Sequence, residues 1–210
     1  MPSLSWRAGS RRRRVNRSSC GSVRPMPPAS KSGRPRRRSR SRLILVLGGA
    51  ASGKSQAALE QAGRRGPKAF VATGQALDGE MKARIDRHRA TREADWCTAE
   101  VPRSLTDWFR SDGSQYRTIV VDCLTLWMSN VCGRRIAGKD LTSVVDELIQ
   151  AIRRTPARVV LVGNELGYGL VPTSRDARAF RDLAGRVNQQ FADAADEVYF
   201  VIAGQSLKLK

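Results

Sequence analysis

The chain reads as an α/β protein in which a mostly parallel central sheet is covered by helices on both faces. Three observations predict this. Five apolar residues, Leu43 to Leu47, run directly into Gly48-Gly49-Ala50-Ala51-Ser52-Gly53-Lys54-Ser55, which reads as a buried strand, a glycine-rich turn and a helix start. Further along, short apolar runs suited to buried strands alternate with stretches whose apolar residues recur at helical spacing. Finally, Thr118 to Asp122 (TIVVD) is an apolar run that ends in an acid.

Length and charge limit what the domain does. The 210 residues carry 38 Lys and Arg against 19 Asp and Glu, a formal net charge of +19. Residues 1–42 hold 14 of the basic residues and none of the acids, which leaves 24 basic against 19 acidic residues in the rest. The basicity therefore belongs mostly to the tail and says little about the domain. We read residues 1–42 as a disordered basic tail, because Arg, Ser and Pro cannot bury a core. A basic arm, a transit-like leader and a start codon assigned upstream of Met26 or a later codon all fit it; the last is the expectation adopted here. Residues 43–210 are the folded unit. The four cysteines, Cys20, Cys97, Cys123 and Cys132, lack C-x-x-C spacing, which argues against zinc and suits a reduced, cytoplasmic protein. No apolar run approaches the roughly eighteen residues of a membrane span.

In chain order, the helix after Ser55 begins with Gln56 to Ala62, and Gly66-Pro67 marks a turn. Residues 68–73 read as a second strand. Asp78 opens a helix to about Arg92 with Met81, Ile85 and His88 on one face. Residues 94–100 read as an extended connection and 102–109 as a short helix. TIVVD is the third strand. Leu141, Val144, Val145, Leu148 and Ile152 share a helix face that stops before Pro156. Arg158 to Val162 is a fourth strand, followed by a glycine-rich loop over 163–169. A long helix from about Ser174 to Ala194 has Phe180, Leu183, Ala184, Val187 and Phe191 as its buried stripe, and 197–203 is the fifth strand.

The chemistry concentrates at the strand ends. Residues 48–55 match G-x-x-x-x-G-K-[ST], a phosphate-binding loop (P-loop), in the strand–turn–helix context the pattern requires. Glycines let successive backbone N–H groups curl round a phosphate at a helix N-terminus. Lys54 suits the β- and γ-phosphates, and the Ser55 hydroxyl suits Mg²⁺. Asp122, ending an apolar strand, fits a metal contact directly or through water, although helix capping would explain it too. These features predict a nucleotide-binding, three-layer fold of the P-loop NTPase type, with the ligand beyond the carboxyl ends of the strands.

His88 is the only histidine. Its spacing with Met81 and Ile85 fits a packed helical residue. A neutral imidazole can equally attack phosphorus to form a phosphoramidate, and Arg84, Arg87, Arg89 and Arg92 on the same stretch suit a triphosphate. A solvated basic face would look the same. Glu165 is a candidate for orienting or deprotonating an acceptor hydroxyl, for capping the next helix, or for pairing with Arg175.

The segments LVLGGAASGKS (45–55), VATGQALDGEMKARIDRHR (71–89), IVVDCLTLWMSN (119–130) and GNELGYGLVPTSRDARAFRDLAGRVNQQFADAADEVYFVIAG (163–204) resemble the bifunctional adenosylcobinamide kinase / adenosylcobinamide-phosphate guanylyltransferase family. The resemblance is collinear over about 43–210. It implies a two-step enzyme of cobalamin biosynthesis that requires Mg²⁺ and uses ATP and GTP as co-substrates. The corrinoid is phosphorylated and then receives GMP through a guanylylated histidine, which falls on His88. By the same carry-over Gly48, Gly49, Ala50, Ala51, Ser52, Gly53, Lys54 and Ser55 cradle phosphates. Ala72, Thr73, Gly74, Arg89, Ala90, Thr91, Arg92, Glu100 and Asp122 are nucleotide contacts, Lys54 joins His88 as a catalytic residue, and Ser55 and Asp122 hold the metal. A homotrimer is implied, with small-molecule partners, no nucleic acid and no membrane span. Ala51 stands where the family usually has Arg, Gly74 where Ser or Ala is common, and 89–93 lacks a frequent proline; no reacting group is missing. A kinase of another small molecule, with His88 structural, would differ by forming no GMP adduct. A nucleic-acid-dependent NTPase working through the tail would lose salt-dependent binding on deletion of 1–42.

Overall fold

The computed structural model describes residues 41–75, 79, 95–133 and 140–210. Its strands are β1 (Arg42–Gly48), β2 (Lys68–Ala72), β3 (Trp96–Glu100), β4 (Thr118–Asp122), β5 (Arg158–Asn164), β6 (Glu197–Ile202) and β7 (Gln205–Lys208). Among the described residues the helices are α1 (Lys54–Ala62), α2 (Leu105–Ser111), α3 (Leu124–Cys132), α4 (Thr142–Arg153) and α5 (Arg175–Ala194). The strands form one sheet in the order β3-β2-β4-β5-β1-β6-β7. Every pairing is parallel except β6 with β7.

Strand alternation sorts the core into two layers. Leu43, Leu45 and Leu47 of β1 lie with Val159 and Leu161 of β5 against α2 to α5, whereas Ile44 and Val46 pack with Val160 and Val162 against α1. The first layer holds the large side chains, including Trp127 and Phe191, both almost wholly buried. On the opposite face α1 presents Ala57, Ala58 and Ala62, small residues that let the helix lie close to the strands. Sheets buried on both faces take near-continuous apolar strands, and β1, β4 and β5 are of that kind. Among the described residues no helix is long and apolar enough to cross a membrane.

The topology locates the cleft. From β1 the chain leaves through α1 on one face and travels to β2, beyond β5 and β4. From β5 it leaves through α5 on the other face and crosses β1 to reach β6. Adjacent strands whose connections diverge in this way open a crevice at their carboxyl ends. That crevice lies between Gly48 and Asn164, which are register partners.

Four features depart from the sequence expectation. Residues 96–100 are a parallel edge strand on β2 rather than a connection. Helix α3 was not expected, because Leu124, Thr125, Trp127, Met128 and Cys132 are all buried and a helix apolar on most sides shows no clear period. Strand β7 is four exposed residues, joined to β6 by a two-residue turn in which Ala203 (φ 49°) and Gly204 (φ 79°) are both left-handed, as type I′ hairpins require. Cys97 is disulfide-bonded rather than reduced, while Cys123 and Cys132 are buried and take part in no disulfide among the described residues.

Phe191 on α5 is fully buried in the larger layer, so Phe191→Ala should lower the unfolding free energy by about 3–5 kcal/mol. The urea midpoint, with an unchanged m-value, is the measurement. A loss below about 1 kcal/mol would mean that this layer collapses around the deletion.

Candidate functional site

The phosphate loop is shaped by close backbone approach. A Cβ on Gly48 would lie 2.5 Å from the Val201 carbonyl oxygen and 2.7 Å from Ser52 Oγ, so only glycine fits at the end of β1. Ala51 (φ 52°) and Gly53 (φ 93°) are left-handed, and such alternation turns successive N–H groups into one hollow suited to an anion. Gly53 is also the residue from which α1 starts, adding the partial positive charge of a helix N-terminus. The Gly204 N–H donates to the Ser52 carbonyl at 2.9 Å, tying the β6–β7 turn to the loop. Lys54 is mostly buried, and its ammonium donates to the Gly49 carbonyl, so the cation arches back over the loop it follows. Among the described residues Ser52 Oγ is buried without a hydrogen-bond partner.

Beside the loop, Ser55 Oγ donates to Asp122 Oδ2 at 2.7 Å. A hydroxyl and a carboxylate meeting in a half-exposed position are two hard oxygens of the kind that suit Mg²⁺. The strand register brings more of the expected residues to this edge: Ala72 is paired with Asp122 on one side and Glu100 on the other. Thr73, fully buried, locks the segment after β4. Its N–H donates to the Asp122 carbonyl (3.2 Å). Its hydroxyl donates to the Cys123 carbonyl (2.7 Å) and accepts from the Cys123 N–H (2.8 Å). The Asp122–Cys123 peptide is cis. Burial first, and then the charge of Asp122, push the Cys123 thiol up to about 11, so it stays neutral at physiological pH and is no nucleophile.

The loop after β5 closes the other side. The Glu165 N–H donates to the Gly48 carbonyl (3.0 Å), and Glu165 Oε1 accepts from the Gly167 N–H (2.7 Å). In this conformation the carboxylate braces its own turn; the cap of α5 is Ser174, whose hydroxyl accepts from Ala177 N–H. Arg178 donates to the carbonyls of Pro172 and Thr173, and Asn188 Nδ2 to that of Asn164. These contacts assign both side chains to holding the loop.

Of the residues expected from sequence, Gly48 to Ser55, Ala72, Thr73, Gly74, Glu100 and Asp122 gather at the carboxyl ends of β1 to β4. His88, Arg89, Ala90, Thr91 and Arg92 lie outside the described residues. Two supporting residues were not anticipated. Asn130 Nδ2 donates to the carbonyls of Thr73 and Pro102 (2.9 and 3.0 Å), and Thr125 Oγ1 accepts from the Asn164 N–H at 2.9 Å. Both lie on α3, the helix without a readable period.

Replacing Gly48 with alanine would force the strand end against Val201 and Ser52. Gly48→Ala should therefore weaken nucleotide binding by tenfold or more, about 1.4 kcal/mol, as measured by calorimetric titration. Unchanged affinity would mean that the cradle tolerates a shifted strand end.

Comparison with known proteins gives this cleft its relatives. The chain is 41% identical over 180 residues to the bifunctional adenosylcobalamin biosynthesis protein CobU of Escherichia coli (strain K12), covering 80% of this chain and 99% of that one. The protein of the same description from Salmonella typhimurium is 42% identical over 180 residues, with the same coverage. The bifunctional adenosylcobalamin biosynthesis protein CobP of Pseudomonas aeruginosa is 40% identical over 171 residues, covering 79% and 96%. A family model described as cobinamide kinase / cobinamide phosphate guanyltransferase matches residues 44–209, which takes in both walls of the cleft, and the chain belongs to that family.

Proposed function

We propose that the chain carries out two successive reactions at this cleft. In the first, the hydroxyl of the aminopropanol arm of adenosylcobinamide attacks the γ-phosphorus of ATP or GTP. The new O–P bond forms as the bond to the β,γ-bridging oxygen breaks, releasing the nucleoside diphosphate and the hydroxyl proton. In the second, a nitrogen of His88 attacks the α-phosphorus of GTP and pyrophosphate leaves. The corrinoid phosphate then displaces the imidazole, giving adenosylcobinamide-GDP and restoring the histidine.

The observation that carries this reading is the Ser55–Asp122 contact of 2.7 Å beside the 48–55 loop, in a chain whose family match covers the whole domain. The loop N–H groups and Lys54 neutralise the phosphate oxygens in both steps, and they need no reorganisation to do so. Ser55 and Asp122 would hold Mg²⁺. When bound, that ion neutralises charge on the phosphate oxygens. Ala72, Gly74, Glu100 and the 89–92 segment are proposed nucleotide contacts, with Thr73 positioning Asp122. Residues 43–210 form the catalytic unit, working in the cytoplasm as a homotrimer on small molecules and without nucleic acid.

Incubating the protein with Mg²⁺ and GTP labelled at the α-phosphate should leave label on the denatured chain. That label should be labile to acid, stable to alkali, and absent from His88→Ala. No label on a folded protein that binds triphosphate would remove the guanylyl-transfer step and leave a kinase.

A further inference from the structure

We infer that the apolar groove on the β6–β7 side of the phosphate loop holds the base and ribose of the phosphoryl donor. The inference rests on the reading of residues 48–55 as a triphosphate cradle. The groove encloses about 680 Å³ and shares a wall with that cradle, Gly49 to Ser52. Its volume falls within the roughly 300–1,000 Å³ usual for small-molecule sites. The remaining wall is Tyr168, Phe200, Ile202, Ala203, Leu207 and Leu209, together with Val201; none of these carries a charge.

Direction decides the occupant. The Ser55–Asp122 pair marks the metal and the terminal phosphates, and Asp122 ends β4, which lies beyond β5 from β1. The groove lies across β6 and β7, on the opposite side of β1. In a nucleoside triphosphate the nucleoside is at the far end from the γ-phosphate. A donor with its γ-phosphate facing Asp122 therefore sends its nucleoside toward β6. What waits there suits a neutral, flat heterocycle. Tyr168 is 85% exposed and Leu207 59%. The Tyr168 ring is braced edge-on against Phe200 with centroids 5.9 Å apart, leaving it available to stack. The Gly204–Ser52 hydrogen bond keeps this wall in register with the cradle. Attack on an α-phosphorus needs another placement of the nucleotide, so this assignment concerns the phosphorylation step.

The test uses the full chain with Mg²⁺ and two ligands, a non-hydrolysable ATP analogue and inorganic tripolyphosphate, titrated into wild type, Tyr168→Ala and Leu207→Asp. Both side chains are exposed, so neither change threatens folding. The expected result is a roughly tenfold loss of analogue affinity, the size of one base–aromatic stack, with tripolyphosphate affinity unchanged. Equal analogue affinity in wild type and both variants would overturn the assignment. So would a parallel loss for both ligands, which would report damage to the loop. A GMP adduct on wild type alongside unaffected variants would refute the groove alone. Failure of wild type to bind tripolyphosphate would refute the cradle, and the groove with it.

Discussion

The tight turn at the end of β1 is the constraint on which the site depends. Gly48 sits so close to the Val201 carbonyl that a single methyl group would push the strands apart. Gly53, in the left-handed region, faces Gly204 across a gap that a Cβ would narrow to 3.2 Å. Because neither glycine has a side chain, three backbone segments converge: the end of β1, the start of α1 and the β6–β7 turn. The N–H groups of the 48–54 loop are turned into a hollow suited to an anion, and the β6–β7 turn braces that loop through the Gly204–Ser52 hydrogen bond. Lys54 then supplies a long cation at the edge of the hollow.

The cleft is polar on one flank and apolar on the other. Toward β4, Ser55 and Asp122 place hard oxygen donors, with Thr73, Asn130 and Thr125 fixing the backbone around them through hydrogen bonds that are wholly or partly buried. A buried N–H or carbonyl deprived of its partner costs about 1–3 kcal/mol, so these contacts hold the Asp122 segment firmly. Toward β6 and β7 the walls are aliphatic and aromatic. A family that transfers a phosphoryl group and then a nucleotidyl group must offer different phosphorus atoms to its acceptors, and one cradle with two unlike flanks suits that requirement.

Much of this is legible in the amino-acid sequence. The 48–55 pattern, the acid closing TIVVD and the amphipathic helices over 142–153 and 175–194 are local signals, each written within one element. Periodicity of 3.6 or strand-length apolar runs identify such elements because one face of each meets the core. The missed elements lack that signature. α3 is buried on most sides, β7 is exposed throughout, and β3 is a short, half-buried edge strand.

The sequence by itself determined the parallel α/β class, the phosphate loop, the candidate metal ligands and the family resemblance, because those depend on residue types at fixed short spacings. Only the tertiary structure decided that β1 lies between β5 and β6, that Asp122 reaches Ser55, that Glu165 braces its own turn, and that Tyr168 and Leu207 wall a groove beside the loop. Ser55 and Asp122 are 67 residues apart in the chain. Their contact follows from strand order, which is set by the packing of the whole sheet and leaves no trace in either residue's neighbours.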